Sequence, residues 1–222
     1  MKTRVTRRTA LRLACGCSVM ASTAGAQHKR AALYAVPNFH PGCMGWLAPY
    51  HVERNYCLYS YLQHQDVAAR DPEYRFAFSE IPHLITMMEF EPARVAEFRK
   101  LAARGQIEMV NAFVLEPTIN LSGGEALVMQ GVEGLRWYSQ VMRAKPRHCW
   151  MIDVTGWHEQ MAQIVSGLGL DSFVYCRYNP LGKVTDAAGA ISADSPAIHW
   201  LQSPDGTRTL AVNPGHYSGP LR

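Results

Sequence analysis

No stretch of this 222-residue chain comes near the ~20 consecutive apolar residues that a membrane-crossing helix needs, so no membrane span is predicted. Internal repeats and low-complexity tracts are missing as well, which excludes solenoids and compositionally biased linkers as the main architecture. The first 26 positions contain no acid, yet they hold five of the 22 Lys and Arg. Without them 17 cations face 18 anions, so the formal charge of +4 falls to −1. The basic character therefore belongs to the amino terminus. With no basic patch left over, nucleic acid and acidic lipid are poor partners, and a neutral one is expected.

That amino terminus reads as a targeting segment. Arg4, Arg7 and Arg8 make a basic start, Ala10 to Met20 a short and mostly apolar core, and Ala24-Gly25-Ala26 a small-residue cleavage site. The pair Arg7-Arg8 before a core interrupted by Arg12 is compatible with twin-arginine export. Residues 1–26 are thus expected to be a signal peptide and the mature protein periplasmic or secreted. Four cysteines remain (Cys43, Cys57, Cys149 and Cys176), which an oxidising compartment could pair in three ways. The plainer reading is buried free thiols.

From residue 31 to 180, short apolar runs alternate with longer amphipathic ones, the pattern of β/α units around a parallel sheet. Strands are predicted at 31–38, 75–80, 107–115, 148–154 and 172–177. Helices are predicted at 52–69, stopped by Asp71-Pro72; at 91–104, with Pro92 in the first turn and Gly105 beyond the end; at 124–141; and at 160–167. Residues 181–196 read as a loop. Beyond it, 198–201 and 209–212 flank Ser203-Pro204-Asp205-Gly206 as a hairpin.

In such a sheet, ligands reach the C-terminal ends of the strands. His40, Glu80, Glu116, Asp153 and Arg177 occupy five successive ends, which points to one convergent site. The segment Glu116-Pro117-Thr118-Ile119-Asn120-Leu121-Ser122-Gly123-Gly124-Glu125-Ala126-Leu127-Val128, with Gly134-Leu135-Arg136-Trp137-Tyr138 after it, is similar to the block W-V-E-P-D-x-N-L-P-S-G-E-A-L-V of glycoside hydrolase family 38, the α-mannosidases. Pro146-Arg147-His148-Cys149-Trp150-Met151-Ile152-Asp153 resembles that family's P-R-x-x-W-x-x-D. The resemblance covers about residues 33 to 215. It implies a parallel β/α barrel of the seven-stranded α-mannosidase type, incomplete at its C-terminus, so that residues 27–222 are part of a catalytic domain.

The resemblance also implies roles. Asp153 matches the family aspartate that attacks the anomeric carbon and also binds zinc, as a retaining mechanism through a glycosyl ester requires of a carboxylate. Arg177 matches an arginine that orients or charge-stabilises it. Trp46 matches the tryptophan whose ring lies against the sugar, and a core tryptophan is the competing reading. Glu80 and Glu116 are expected to hydrogen-bond substrate hydroxyls, with helix capping or ion pairing as the alternative for Glu80. The zinc motif H-x-D-x-G-W is altered. His40 and Gly45-Trp46 fit, but one residue is inserted and Gly42 or Cys43 replaces the aspartate. Since zinc accepts His, Asp and Cys donors, His40, Asp153 and Cys43 form the expected ligand set for Zn²⁺. The family's general acid and last zinc histidine belong to later strands, so the chain is expected to be a truncated frame or a fragment. The expectation is therefore an exported zinc-dependent α-mannosidase-like hydrolase acting on oligosaccharides. Its rivals are a non-catalytic carbohydrate-binding remnant and a metal-dependent carbohydrate deacetylase.

Overall fold

A computed structural model describes residues 37–39, 48–154, 156–176 and 197–213, all within one compact unit, Val36–Arg222. The first long helix, α1 (Tyr50–Arg70), ends where the Asp71 N–H caps the carbonyl of Val67 at 2.8 Å and Pro72 forbids continuation. Strand β1 (Phe76–Phe78) follows, buried along its whole length, as a parallel strand covered on both faces should be. The sequence pattern assigns no element to 81–90, yet a helix, α2 (Ile81–Phe90), forms there with Pro82 in its first turn. Its successor α3 (Pro92–Ala103) closes with Gly105 at φ 72° and the Gln106 N–H on the Leu101 carbonyl at 3.0 Å. Left-handed backbone at this position is the reason for a glycine there. Strand β2 (Ile107–Met109), α4 (Gly124–Trp137), a π-helical turn (Tyr138–Met142), β3 (His148–Met151), α5 (Met161–Gly167), β4 (Ser172–Tyr175), β5 (Ile198–Gln202) and β6 (Arg208–Val212) complete the described elements.

Strands β1 and β2 pair in parallel. A second sheet has the order β3-β4-β6-β5, parallel except for the antiparallel hairpin β5–β6. Two links extend the array. Asn38 bridges Ala77 in parallel on the far side of β1, and the Ala112 N–H donates to the His148 carbonyl at 2.9 Å, joining the continuation of β2 to β3. The helices α1, α2 and α3 cover β1–β2 around Phe76, Phe78, Tyr61, Leu84 and Phe98. A separate cluster of Phe113, Met151, Phe173, Tyr175 and Met161 fills the space beneath α4 and α5. The strand predictions were too long for a specific reason. Strand β2 stops at Met109 because the Asn111 side-chain oxygen takes the N–H groups of Phe113 and Trp150, at 3.2 and 3.1 Å, in place of a ladder. Strand β3 stops at Met151 because the next two N–H groups turn to a carboxylate. Of the four cysteines, Cys57, Cys149 and Cys176 are buried; Cys43 lies outside the described residues, as do residues 1–26 and most of the predicted first strand.

Candidate active site

Asp153 stands two residues beyond β3, at the C-terminal edge of the parallel array, and is half-buried. Its place is set from a segment far away in sequence. Glu116, at the end of the chain that leaves β2, takes the Ile152 N–H on Oε1 at 2.8 Å and the Asp153 N–H on Oε2 at 2.9 Å. The Glu116 N–H is in turn held by Glu80 Oε1 at 3.4 Å. Glu80 sits at the start of α2 without capping it, and its Oε2 lies 3.5 Å from His83 Nε2. The Cys176 thiol, at the end of β4, donates to the Ile152 carbonyl. Four of the strand-end segments are thereby joined side to side.

Burial dominates the electrostatics of this edge. Desolvation raises Glu80 to about 7, offset only in part by the Glu116 N–H. Desolvation, then repulsion from Glu80, raises Glu116 to about 8, against the pull of the two backbone donors. Glu116 is partly exposed as a residue, but its carboxylate points inward under those donors. Burial and then repulsion from Glu116 also push the Cys149 thiol well up. Burial penalises charge of either sign here, and it is the main reason both carboxyls hold their protons more tightly than a solvated one.

The sequence-based assignments divide accordingly. Glu80, Glu116 and Asp153 are brought to one edge, where Glu116 holds the amides of residues 152 and 153 and Glu80 holds the Glu116 N–H beside the His83 imidazole. The assignments of His40, Cys43, Trp46 and Arg177 lie outside the described residues. Among the described residues no group of three or more His, Cys, Asp and Glu is arranged for a metal. Asp153 is the described member of the expected set, and a carboxylate joined by imidazole and thiolate is a donor chemistry that zinc accepts. Trp157, half-buried, packs on the rings of Phe173 and Tyr175 at 5.8 and 5.5 Å, against the core. His158 Nδ1 accepts the Gln160 N–H ahead of α5. Two participants escaped the sequence reading. At Gly156, φ is 89° and a Cβ would overlap the Asn120 side chain; Cys176 is the other. The spacing of Glu116 and Asn120 within one segment was the signal for the first contact.

A parallel α/β sheet presenting acids at its C-terminal edge is an architecture of sugar-processing enzymes, and comparison narrows the class. Residues 30–221 match the glycosyl hydrolases family 38 N-terminal domain, and the chain belongs to this family. It is 29% identical over 129 residues to human α-mannosidase 2C1, covering 58% of this chain and 12% of the relative. To a probable α-mannosidase of Arabidopsis thaliana it is 30% identical over 159 residues, covering 65% of this chain and 15% of the relative. The fold is similar to part of an α-mannosidase from Enterococcus faecalis, with TM-score 0.68 and 18% identity over 80% of this chain and 19% of that one. A 4-α-glucanotransferase from Thermococcus litoralis is similar at TM-score 0.57 and 20% identity, over 79% and 26%. The chain spans between 12% and 15% of the length of these curated relatives.

Proposed function

We propose that this protein is the nucleophile-bearing part of an exported, zinc-dependent α-mannosidase-like hydrolase that retains anomeric configuration, with its parallel array forming part of a seven-stranded barrel. The observation that carries the reading is Asp153, held by its own backbone at the C-terminal strand edge within a family 38 domain. A carboxylate oxygen of Asp153 bonds to the anomeric carbon as the bond to the aglycone oxygen breaks; the aglycone leaves with the electron pair and takes up a proton. Water then attacks the same carbon, the ester bond breaks, and the water's proton is released as the carboxylate is restored, so two inversions give retention. Zinc held by His40, Asp153 and Cys43 would grip sugar hydroxyls as a Lewis acid. Trp46 would cover the apolar face of the sugar and Arg177 would steady the charge of Asp153. Residues 1–26 would be removed on export to the periplasm or beyond.

The test uses 5-fluoro-α-mannosyl fluoride, whose leaving group departs as fluoride without needing a proton, so the nucleophile is read independently of any general acid. Mass spectrometry should find one fluoromannosyl unit on the peptide containing Asp153. Asp153→Asn should slow labelling by about a thousandfold or more, and a chelator should suppress it. A folded chain that takes up no label, or takes it elsewhere, overturns the assignment.

A further inference from the structure

The Glu116 carboxylate divides its oxygens between two successive backbone N–H groups, at 2.8 and 2.9 Å. In an extended strand successive N–H groups point to opposite sides, so convergence of both on one carboxyl group is a distinct, non-strand conformation. A concavity of this kind is unstable without its acceptor, because two donors would face each other unsatisfied. The Cys176 thiol fixes the Ile152 carbonyl, so residue 152 is pinned at both its polar groups. Four residues after Glu116, Asn120 fits against Gly156, where only the absence of a Cβ allows the approach.

We propose that Glu116 is a positioning residue: its carboxylate clamps the amides of residues 152 and 153, and with Asn120 against Gly156 it fixes the loop from which Asp153 projects. This inference rests on the reading of Asp153 as the nucleophile. Attack on an anomeric carbon tolerates little displacement, and about 1 Å of misplacement costs on the order of a hundredfold in rate. The clamp therefore acts on the attacking step and leaves the affinity for the sugar alone.

Two readouts separate the clamp from the activity. Amide hydrogen exchange on the intact chain should show residues 152 and 153 protected, and Glu116→Gln, which keeps one acceptor, should speed exchange there by on the order of ten- to a hundredfold. Exchange in β6 should not change, which certifies the fold. With the fluoride reagent, Glu116→Gln should lower the limiting rate of Asp153 labelling by about tenfold or more while the concentration for half-saturation stays put. Glu116→Asp keeps the carboxyl group but is one methylene short of both amides, and it should not rescue the rate. Unchanged exchange at 152 and 153 overturns the clamp, and faster exchange with an unchanged labelling rate overturns its positioning role. If the unaltered chain takes no label, the hydrolase reading falls and with it the positioning role, while exchange still decides whether the clamp exists.

Discussion

Glu80 shows how one residue can couple the site to the fold. Its carboxyl is almost wholly buried, faces the Glu116 N–H and the His83 imidazole, and adds to the raised values of the nearby Tyr61 and Tyr138 hydroxyls. Burial shifts it upward from 4.5 to about 7. A carboxyl that holds its proton more tightly in the folded chain than in the unfolded one stabilises the fold fully below pH 4.5, and that stabilisation is lost as the pH rises through about 7. Urea unfolding followed from pH 5 to 8 should therefore show stability falling, with on the order of 2–3 kcal/mol of the fall from Glu80, and Glu80→Gln should make the decline shallower, the remainder belonging to Glu116, which is raised to about 8. An unaltered slope in the variant would assign the effect to another group. The sequence placed Glu80, Glu116 and Asp153 at one edge because strand ends are readable from apolar periodicity. It could not show which way the two glutamates face, since that depends on backbone donors 36 residues away from Glu116.

Among the elements, α4 carries a glycine whose usual effect is reversed. Replacing glycine by alanine inside a helix ordinarily stabilises it by about 1 kcal/mol. At Gly134 a Cβ would overlap the carbonyl oxygen of Ala112, a backbone atom with little room to yield. Gly134→Ala is expected to destabilise the protein by about 1–3 kcal/mol net. Gly131→Ala in the same helix meets only the flexible end of Leu168 and serves as the comparison; thermal unfolding of the pair should rank them in that order. Equal shifts would mean that α4 moves away from the sheet at no cost. Four predicted helices are present within a few residues of their expected bounds, because each is flanked by proline, glycine or a capping acid. Helix α2 was not legible. Its ten residues follow β1 after only two, too closely for a periodic pattern to stand out from the strand.

On the scale of the whole molecule, the hairpin β5–β6 extends the second sheet, with β6 parallel to β4 and β5 outermost among the described strands. Strand β5 pairs only with β6 among the described strands, and Ile198 and Trp200 project from it at 63% and 67% exposure. An unpaired strand edge bearing large apolar side chains is a template for association. The chain should form higher-mass species as its concentration rises, visible in sedimentation velocity, and Ile198→Lys with Trp200→Lys should abolish them. Concentration-independent sedimentation of the unaltered chain would remove β5 as an association surface. The parallel character of the sheet was legible from alternating apolar and amphipathic runs, whereas the neighbour relation of β4 to β6 was not, because no local signal records a pairing that skips over β5. The contact of Asn120 with Gly156 carries a lesson of another kind. Two stretches of chain distant in sequence interlock at atomic fit, so they must be inherited, or transplanted by a designer, as a single cassette; exchanging either alone for its counterpart in a relative would leave a key without its lock.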